Sequence, residues 1–383
     1  MYPRISDLVN HLLGSQIELP VQTYGFFLAL GFFTGGTVLY FELKRKGNEG
    51  LLQVKKQTRN SQIHSGWPEI ISTILLTSII AWKLVGIITH YDVFVANPQH
   101  YIMSGNGSTV AFFLCAIFVA AYQIYKRGKA RKMPAKKQEI LIPPEEYTWN
   151  IVVVAIVSAI VGSKLFDIFD NLSDFTQHPL QTLFSFSGLT FYGGLIVTVI
   201  TLMFYMWVLK LDWKHVIDSA APAIMIGYAI GRLGCHFSGD GCWGIVNDLP
   251  CPAWIPDFLW SNAYPHNVIN QGIPIADCAG HNCMILAKPV YPTSLYESLI
   301  SFFSFGILWL SRKKIKAPVC LFGLFLVLNG VERFFIEKIR VNHKYDILGI
   351  QLTQAEIISA LLVVAGIFII YYYRKKYKEA KHG

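Results

Sequence analysis

The segment IDSAAPAIMIGYAIGRLGCHFSGDGCWG occupies residues 217–244 and joins an apolar run to a polar, glycine-rich end. That end contains Arg232, Asp240 and five glycines. Charge at membrane depth costs roughly 2.5–3.5 kcal/mol on insertion scales, so it usually marks a substrate or ion site. Glycines let backbone N–H groups approach an anion closely. The alternative is a plain helix end, with an arginine that extends to the membrane surface.

The rest of the chain has the composition of a bilayer protein. Hydrophobic residues make up 53% of the sequence and charged residues only 15%. A span needs roughly 20 apolar residues, and the sequence therefore predicts an all-α fold, a polytopic membrane helix bundle with about nine transmembrane helices. We expect a single integral membrane domain over residues 1–383. The nine candidate spans are residues 21–41, 68–89, 109–125, 148–168, 190–209, 217–235, 295–311, 318–336 and 354–373.

The positions of the basic residues predict an orientation, because cytoplasmic loops retain Lys and Arg. The alternate loops carry only Lys288, Arg340 and Lys344. We therefore expect the N-terminus outside, the C-terminus inside and an odd number of crossings. The net charge of +9 reflects this topology and gives no support for nucleic-acid binding. Most of the 33 basic residues lie in residues 44–59, 126–137, 210–214, 312–316 and 374–381.

The largest outside loop, residues 245–290, is rich in Pro, Trp and Asn and predicts a small irregular cap. Its four large aromatic residues can contact lipid headgroups or cover the core of the cap, and we favour the core. Cys278 and Cys283 flank His281, but this spacing matches no familiar zinc pattern. A disulfide within residues 242–283 is the alternative. The four aromatic residues are Trp254, Phe258, Trp260 and Tyr264.

Further polar residues lie near the outer ends of several spans. Arg333, Glu337 and Arg340 have the spacing that places them on one helical face, where Arg333 and Glu337 can also form a purely structural salt bridge. Embedded arginines at one leaflet indicate an anionic ligand that stays in the membrane, and a phospholipid headgroup fits because guanidinium binds phosphate oxygens bidentately. The complete set is Tyr24-Gly25, Tyr192-Gly193-Gly194, Arg232, Glu297 and the segment from Glu332 to Arg340.

Several common catalytic motifs are missing from the sequence. No Gly-Xaa-Ser-Xaa-Gly elbow, His-Glu-Xaa-Xaa-His pair or P-loop occurs. Serine hydrolases, zinc proteases and nucleotide-driven pumps are therefore poor matches. A transporter or flippase for an anionic lipid or another organic anion remains an alternative, although we see no internal repeat.

Five segments resemble the prolipoprotein diacylglyceryl transferases of bacterial membranes. Residues 231–244 are similar to that family's Gly-Arg-Xaa-Gly-Asn-Phe-Xaa-Asn-Gly-Glu signature followed by Trp-Gly. Residues 291–297 resemble its (His/Tyr)-Pro-Xaa-Xaa-Leu-Tyr-Glu box, and residues 333–340 resemble its Arg-Phe-Xaa-Xaa-Glu-Xaa-Xaa-Arg segment. Tyr24-Gly25 and residues 192–196 match in order and context. The resemblance covers most of the chain.

The chain departs from the family pattern at several of these positions. Tyr192 replaces a frequent histidine that has been proposed as a base. Cys235 and Ser238 replace signature asparagines, Asp240 replaces a glutamate, and one residue is inserted before Trp243. His236 is an addition that can supply a base or face solvent. Seven crossings are usual in the family, so residues 68–125 resemble an inserted helical hairpin that preserves the topology.

The resemblance implies a transferase. It takes the diacylglyceryl group from phosphatidylglycerol, joins it by a thioether to the lipobox cysteine of a prolipoprotein, and releases glycerol phosphate. It implies no metal and no organic cofactor. The expected partners are phosphatidylglycerol, prolipoprotein lipobox peptides and membrane lipids, with no nucleic acid, and we expect a monomer in the bacterial cytoplasmic (inner) membrane.

The resemblance also suggests roles for individual residues. Arg232 and Arg333 bind the phosphate and the developing leaving-group charge, Glu337 orients Arg333, and Asp240 orients donor hydroxyls or the glycine-rich turn. The base stays open among His236, Asp240, Glu337 and a phosphate oxygen of the donor. The expected catalytic residues are Arg232, Arg333, Asp240, Glu337 and His236. The expected substrate-binding residues are Arg232, Tyr24, Tyr192, Gly193, Gly194, Gly239, Gly244, Glu297 and Arg340.

Overall fold

The computed structural model describes the chain except residues 18, 61–66, 97–100, 102–103, 132–136, 178, 180–181, 183–189, 279–280, 343, 348–349 and 383. Helices dominate it, as expected for a chain in lipid, where backbone N–H and C=O groups must be satisfied within the protein. In chain order the helices are α1 (Ile5–Leu13), α2 (Thr23–Asn48), α3 (Trp67–Thr89), α4 (Tyr91–Ala96), α5 (Thr109–Arg131), α6 (Thr148–Asp170), α7 (Leu172–Gln177), α8 (Phe191–Val208), α9 (Trp213–Ser238), α10 (Asp257–Trp260), α11 (Thr293–Ser311), α12 (Cys320–Glu337) and α13 (Gln354–His382).

The prediction of an all-α polytopic bundle is confirmed. Within the described residues, eight helices are long and apolar enough to cross a membrane, namely all the helices of 18 residues or more except α12. Helix α12 has 18 residues but carries Glu332, Arg333 and Glu337 near its end, which lowers its apolar character. Each of the nine spans predicted from sequence coincides with one long helix. The charges of α12 therefore need partners inside the protein.

Among the described residues, the strands form three short antiparallel pairs. The first pair, β1 (Lys55–Asn60) with β2 (Lys137–Ile142), aligns Lys55 with Ile142. A compact unit of residues 4–21 and 55–142 contains this pair, and in it α3 packs against α5. The other pairs are β3 (Ile273–Pro274) with β4 (Met284–Ile285), and β5 (Lys344–Ile347) with β6 (Ile350–Thr353).

The second compact unit comprises residues 1–3, 22–54 and 143–383, and α9 lies at its centre. Helix α9 packs against α2, α11 and α12, and α12 packs against α13. Glycines allow the close contact with α2. A Cβ atom on Gly31 would lie 2.9 Å from the carbonyl oxygen of Gly227, and one on Gly35 would lie 2.8 Å from that of Ala223. Small residues commonly permit such approaches between membrane helices.

Buried charges hold the second unit together at the end of α11 that is remote from Glu297. Glu42 in α2 is 1% exposed, and Nε of Arg312 donates to its Oε1 at 2.8 Å. Asp218 in α9 accepts hydrogen bonds from the N–H groups of Val319 and Phe322, at 2.8 and 2.9 Å. These N–H groups begin α12, and a carboxylate is favourable at a helix N-terminus. The network fixes α12 relative to α9.

The loop of residues 245–290 contains α10, β3 and β4. Cys278 and Cys283 form a disulfide, which favours the disulfide alternative over a metal at that pair. Tyr264 is 1% exposed, as expected of a core residue. Trp254 and Phe258 are 83% and 59% exposed, so the core prediction is wrong for these two residues. The small size of this loop leaves too little core to enclose every aromatic side chain.

Candidate active site

Three arginines surround the carboxylate of Glu297, which is 0% exposed. Nε of Arg232 lies 2.7 Å from Oε2 of Glu297. Arg333 and Arg340 donate to Oε1 through their Nη1 atoms, at 3.0 and 3.1 Å. We call these four residues the Glu297 cluster. Each arginine alone would be costly at membrane depth, and the shared carboxylate offsets part of that cost.

The cluster assembles from α9, α11 and the end of α12. Helix α11 starts after Pro292, so Glu297 lies slightly more than one turn into it. Its neighbour Ser298 donates a hydrogen bond to the carbonyl oxygen of Ala229 at 2.8 Å. Ala229 lies one turn before Arg232 in α9, so this bond fixes the two helices beside the contact between Arg232 and Glu297.

The glycine-rich turn holds Arg340 in place. Gly239 ends α9 with φ of 67°, in the left-handed region that glycine adopts without strain. Gly244 pairs with Arg340 as an isolated antiparallel bridge, and its N–H donates to the carbonyl oxygen of Tyr291 at 2.9 Å. A Cβ atom on Gly244 would lie 2.5 Å from the carbonyl oxygen of Ile339. Only glycine therefore allows this approach of the turn to the end of α12.

The guanidinium groups of the cluster keep one side open. The side chains of Arg232, Arg333 and Arg340 are 19%, 25% and 16% exposed, whereas Glu297 is fully buried. A guanidinium carries five N–H donors. Glu297 is contacted by Nε of Arg232 and by one terminal nitrogen each of Arg333 and Arg340. The arrangement thus leaves donor groups for an anion at the exposed side of the three arginines.

Glu337 orients Arg333 from the opposite side. Its Oε2 lies 3.1 Å from Nη2 of Arg333, and the amide of Asn342 donates to its Oε1. Arg333 is therefore held between two carboxylates, those of Glu297 and Glu337. Nη1 of Arg333 donates a hydrogen bond to Glu297 and Nη2 lies in ion-pair range of Glu337, so the two carboxylates together restrict the rotation of the guanidinium.

Glu332 and Tyr228 belong to the same surroundings, and sequence reasoning gave them no role. Glu332 is 5% exposed, and neither of its carboxylate oxygens has a hydrogen-bond partner among the described residues. It lies within electrostatic range of Glu297 and the three arginines. Tyr228 places its ring 5.1 Å from the guanidinium carbon of Arg232. The presence of a carboxylate in an apolar span could have drawn attention to Glu332 from the sequence. The sequence does not show which side chains of other helices surround it.

Comparison with known proteins identifies the family. The family model described as prolipoprotein diacylglyceryl transferase matches residues 108–372. A phosphatidylglycerol–prolipoprotein diacylglyceryl transferase of Leptospira interrogans (serovar copenhageni) is 30% identical over 253 residues, which cover 60% of this chain and 70% of the relative. Proteins of the same name are 31% identical over 232 residues in Clostridium botulinum (strain Loch Maree), covering 60% and 82% of the two chains, and 28% identical over 237 residues in Burkholderia orbicola, covering 59% and 78%.

The chain belongs to the prolipoprotein diacylglyceryl transferase family. The matched residues include the whole Glu297 cluster, whereas Tyr24 lies before them.

In this member of the family, the segment Tyr192-Gly193-Gly194 lies where α8 packs against α6. A Cβ atom on Gly193 would lie 2.6 Å from the carbonyl oxygen of Gly162, and one on Gly194 would lie 2.4 Å from Oγ of Ser163. Tyr192 is 43% exposed. In the described part of the chain, no contact joins these three residues to the Glu297 cluster. The structure thus gives the two glycines a packing role.

His236 is not at the surface of this family member. It is 6% exposed, and its Nδ1 lies 3.2 Å from the hydroxyl of Tyr264 in the cap. The expectation of a solvent-facing histidine is therefore wrong. No contact between described residues connects His236 to the arginines. Its ring lies between the end of α9 and the cap, and this position makes it a structural link between the two.

The signature turn contains a cluster that can hold a metal. The N–H of Cys242 donates to Oδ1 of Asp240 at 3.1 Å, so Asp240 shapes the turn. The ligand atoms of Cys235, Asp240 and Cys242 lie within 4.8 Å of one another. A hydrogen bond with the Cys235 thiol lowers the pKa of Cys242. Tyr24, at the start of α2, is 41% exposed and within electrostatic range of these three residues and of Arg232.

Proposed function

We propose that this transferase moves the diacylglyceryl group of phosphatidylglycerol to the lipobox cysteine thiol of prolipoproteins. The reaction forms a thioether, releases glycerol phosphate and is the first step of lipoprotein maturation. Membership of the family and the names of the relatives support this activity. The observation that carries the proposal is the Glu297 cluster, which directs three partly exposed guanidinium groups to one place.

Arg232, Arg333 and Arg340 bind the phosphate of the donor lipid. Guanidinium forms two parallel N–H···O bonds with a phosphate and stays charged when partly buried. Glu297 keeps the three groups together in the absence of lipid, because it offsets their mutual repulsion. The site is therefore preorganised for an anion, which lowers the free energy needed to arrange it during the reaction.

The chemical step replaces a C–O bond of the donor by a C–S bond. Negative charge grows on the phosphate oxygen as the C–O bond breaks, and the guanidinium of Arg333 stabilises that charge more in the transition state than in the ground state. Glu337 contributes by orienting Arg333, from which it lies 3.1 Å. Tyr24 and Asp240 position the substrates from the side of the signature turn.

The acceptor thiol must also lose its proton, since the thiolate is the reactive form and a free cysteine has a pKa of about 8.5. Asp240 and a phosphate oxygen of the donor are the acceptors that the geometry favours among the candidates. Glu337 is engaged by Arg333 and Asn342. His236 is buried against Tyr264, which removes it from contact with the arginines.

We further propose that the protein lies in the bacterial inner membrane as a monomer, with its N-terminus outside, its C-terminus in the cytoplasm and no nucleic-acid partner. The alternation of basic and non-basic loops supports this orientation. Protease sites inserted in residues 126–137 and in residues 245–290 test it. In spheroplasts, added protease is expected to cut only the second site. Cleavage within residues 126–137 would contradict the topology.

The activity is tested with protein in nanodiscs that contain phosphatidylglycerol and with a synthetic lipobox peptide. Mass spectrometry of the peptide is expected to show the added diacylglyceryl group. We expect Arg232→Ala to lower the rate at least about 100-fold, as for the loss of a preorganised electrostatic group. Arg232→Lys is expected to recover little of the transfer rate, because an ammonium group cannot form the two parallel hydrogen bonds that guanidinium makes with a phosphate.

Arg312→Ala is the matched control, since Arg312 also pairs with a buried glutamate but lies at the other end of α11. It is expected to lower thermal stability and leave the rate per folded molecule near that of the wild type. Full activity of Arg232→Ala would contradict the proposal. A transporter would move labelled lipid between leaflets without changing the mass of the peptide.

A further inference from the structure

The end of α9 and the signature turn (residues 239–244) bring two free thiols close together. Cys235 lies in the last turn of α9, and Cys242 follows it in the signature turn. Their sulfur atoms lie within 4.8 Å of each other, and both cysteines are free thiols in the structure. The function proposed above uses neither of them. The chemistry of two adjacent thiols therefore has to be considered separately.

Both thiols lie at the end of the bundle that the cap covers. The N–H of Val268, a residue of the cap, donates to the carbonyl oxygen of Ser238 at 3.2 Å, so the cap packs directly against the end of α9. The cap also contains the disulfide between Cys278 and Cys283. Disulfides form and persist in oxidising compartments. The two free thiols are therefore subject to the same oxidising conditions as the cap.

The geometry of the turn permits a disulfide between the two cysteines. An S–S bond is about 2.05 Å long, so the sulfurs have to approach each other by at most about 2.8 Å. Gly239 and Gly241 separate them in sequence and have φ of 67° and 92°. Glycine has the widest conformational freedom of all residues. The backbone between the thiols can therefore adjust to the bond.

The two thiols differ in exposure and reactivity. Cys242 is partly exposed, whereas Cys235 is 7% exposed. A hydrogen bond with the Cys235 thiol lowers the pKa of Cys242, which raises its thiolate fraction. Disulfide exchange starts with the attack of a thiolate and passes through a mixed disulfide. Cys242 thus has the properties of the attacking thiol, and Cys235 those of the resolving thiol.

The thiol pair is connected to the helices that hold the Glu297 cluster. Cys235 lies nearly one turn after Arg232 in α9. The hydroxyl of Thr293 donates to the carbonyl oxygen of Cys242 at 2.9 Å, and Thr293 is the first residue of α11, which carries Glu297. A bond between the two cysteines therefore connects the end of α9 with the start of α11, next to the contact between Arg232 and Glu297.

The redox state of the pair also changes the charge near Arg232, which lies within electrostatic range of both thiols. A thiolate at Cys242 competes with the donor phosphate for this guanidinium, because both are anions. A disulfide carries no charge and leaves the guanidinium to the lipid. Oxidation therefore favours donor binding by removing a competing anion and by preorganising the two helices.

We propose that Cys235 and Cys242 form a reversible dithiol–disulfide pair whose oxidation strengthens binding of the donor lipid. The effect on the lipid rests on the proposed function, whereas formation of the bond does not. The oxidant is a disulfide that reaches the cap end of the bundle, and oxidised glutathione is the probe for it.

The exchange balances in atoms and electrons. The thiolate of Cys242 attacks one sulfur of the oxidant, whose S–S bond breaks and releases one thiolate. The sulfur of Cys235 then attacks Cys242 in the mixed disulfide, which forms the intramolecular bond and releases the second thiolate. The two thiols of the protein lose two electrons and two protons, and the oxidant gains them as two thiols.

Mass spectrometry of alkylated peptides measures the bond without an assay of transfer. Wild-type protein in nanodiscs is equilibrated with mixtures of reduced and oxidised glutathione, and its free thiols are then alkylated. Cys235 and Cys242 are expected to lose their reactivity together, in a single two-electron transition that yields the cross-linked peptides. If both stay free in the most oxidising mixture, or each carries a glutathione instead, the pair is overturned and the proposed function stands.

Phosphatidylglycerol provides the second test, because coupling between two equilibria is reciprocal. Nanodiscs with this lipid are expected to shift the oxidation equilibrium toward the disulfide at least about fivefold, compared with nanodiscs of phosphatidylcholine alone. The bond between Cys278 and Cys283, measured in the same samples, is the control for a general effect of membrane charge and is expected to shift little. No shift, or an equal shift of both bonds, would overturn the effect on donor binding.

Paired variants assign the redox effect to one of the two bonds, since reduction also breaks the disulfide of the cap. The Cys278→Ser/Cys283→Ser variant is expected to keep the dependence of lipid binding on the redox state. The Cys235→Ser/Cys242→Ser variant is expected to lose it. The reverse pattern would place the effect in the cap and contradict the proposal.

The results also distinguish this proposal from the proposed function. A pair that forms and responds to phosphatidylglycerol, in a protein that never transfers the diacylglyceryl group to the lipobox peptide, would overturn the proposed function and leave the pair. Equal affinity of the oxidised and the reduced protein for phosphatidylglycerol, in a protein that does transfer the group, would overturn the redox effect and leave the proposed function.

Discussion

At the scale of single residues, Arg333 is held by two carboxylates, and this limits what an exchange of charges can restore. In the double variant Arg333→Glu with Glu337→Arg, the new carboxylate would face Glu297, whose Oε1 lies 3.0 Å from Arg333 Nη1 in the native protein. Like charges this close repel strongly in a partly buried site. We therefore expect both the melting temperature and the transfer rate to stay well below those of the wild type.

The control for this exchange is Arg333→Lys, which keeps the positive charge but loses the planar, bidentate arrangement of N–H donors. It is expected to retain most of the stability and to transfer slowly. Near-native stability and transfer in the exchanged variant would mean that the contact between Arg333 and Glu337 is a simple salt bridge, and that Glu297 has no part in holding Arg333.

Glu332 offers a second residue-scale prediction, because it is buried and has no hydrogen-bond partner among the described residues. Glu332→Met, which keeps the length of the side chain but removes its buried polar oxygens, is expected to raise the free energy of unfolding by about 1 kcal/mol or more, since an unsatisfied buried group is destabilising. Glu337→Met is the matched control: Glu337 is also buried, but its Oε1 accepts a hydrogen bond from Asn342 and its Oε2 lies in ion-pair range of Arg333, so its variant loses stability. Similar losses in both variants, measured by thermal unfolding, would contradict this account.

At the scale of helices, Gly193 and Gly194 make the contact between α6 and α8 possible. A Cβ atom on Gly193 would lie 2.4 Å from Cβ of Phe166, so Gly193→Ala and Gly194→Ala are expected to lower the melting temperature. Gly306→Ala is the control: it lies within α11 with no atom in the way, and alanine there stabilises the helix by about 0.5–1 kcal/mol. Loss of transfer without loss of stability in Gly193→Ala would instead support substrate binding.

At the scale of the whole molecule, the pairing of β1 with β2 brings the two ends of residues 55–142 together, so that this segment can be deleted and replaced by a short linker. Lys55 and Ile142 are paired residues of an antiparallel ribbon, so their Cα atoms lie roughly 4.5–5.5 Å apart. We propose that the hairpin of residues 68–125 is an insertion. Replacing residues 55–142 by a two-residue linker between Val54 and Pro143 is expected to leave an inserted, folded protein. Retention of phosphatidylglycerol binding by the shortened chain, measured in detergent, checks this.

The excision has a control in the same protein. The control deletion removes residues 245–290. It takes away Tyr264, which contacts His236 near the end of α9. This second deletion is expected to abolish lipid binding. Equal loss of binding in both deletions would contradict the view that residues 55–142 form a separable unit.

Composition and charge predicted the helices well, because a helix needs roughly 20 mostly apolar residues to cross the membrane, and such a segment is visible in the sequence. Motif resemblance also selected all four residues of the Glu297 cluster. The rest required the fold. Nothing local in the sequence indicates that Glu297 contacts three arginines, or that Glu332 has no hydrogen-bond partner among the described residues. His236 was expected to be a base or a solvent-facing residue, but its environment depends on Tyr264, which lies 28 residues away.

The shared carboxylate also has a consequence for biosynthesis. Arg232 enters the membrane with α9, but Glu297 is translated 65 residues later. At about 5–20 residues per second, the nascent chain carries this arginine without its carboxylate for roughly 3–13 seconds. During that interval the nearest anions are lipid phosphates, so the donor lipid can serve as a temporary partner before it is a substrate. Chains arrested between residues 245 and 290 are therefore expected to be prime targets of membrane proteases, and cells depleted of anionic lipid to accumulate less of the mature protein.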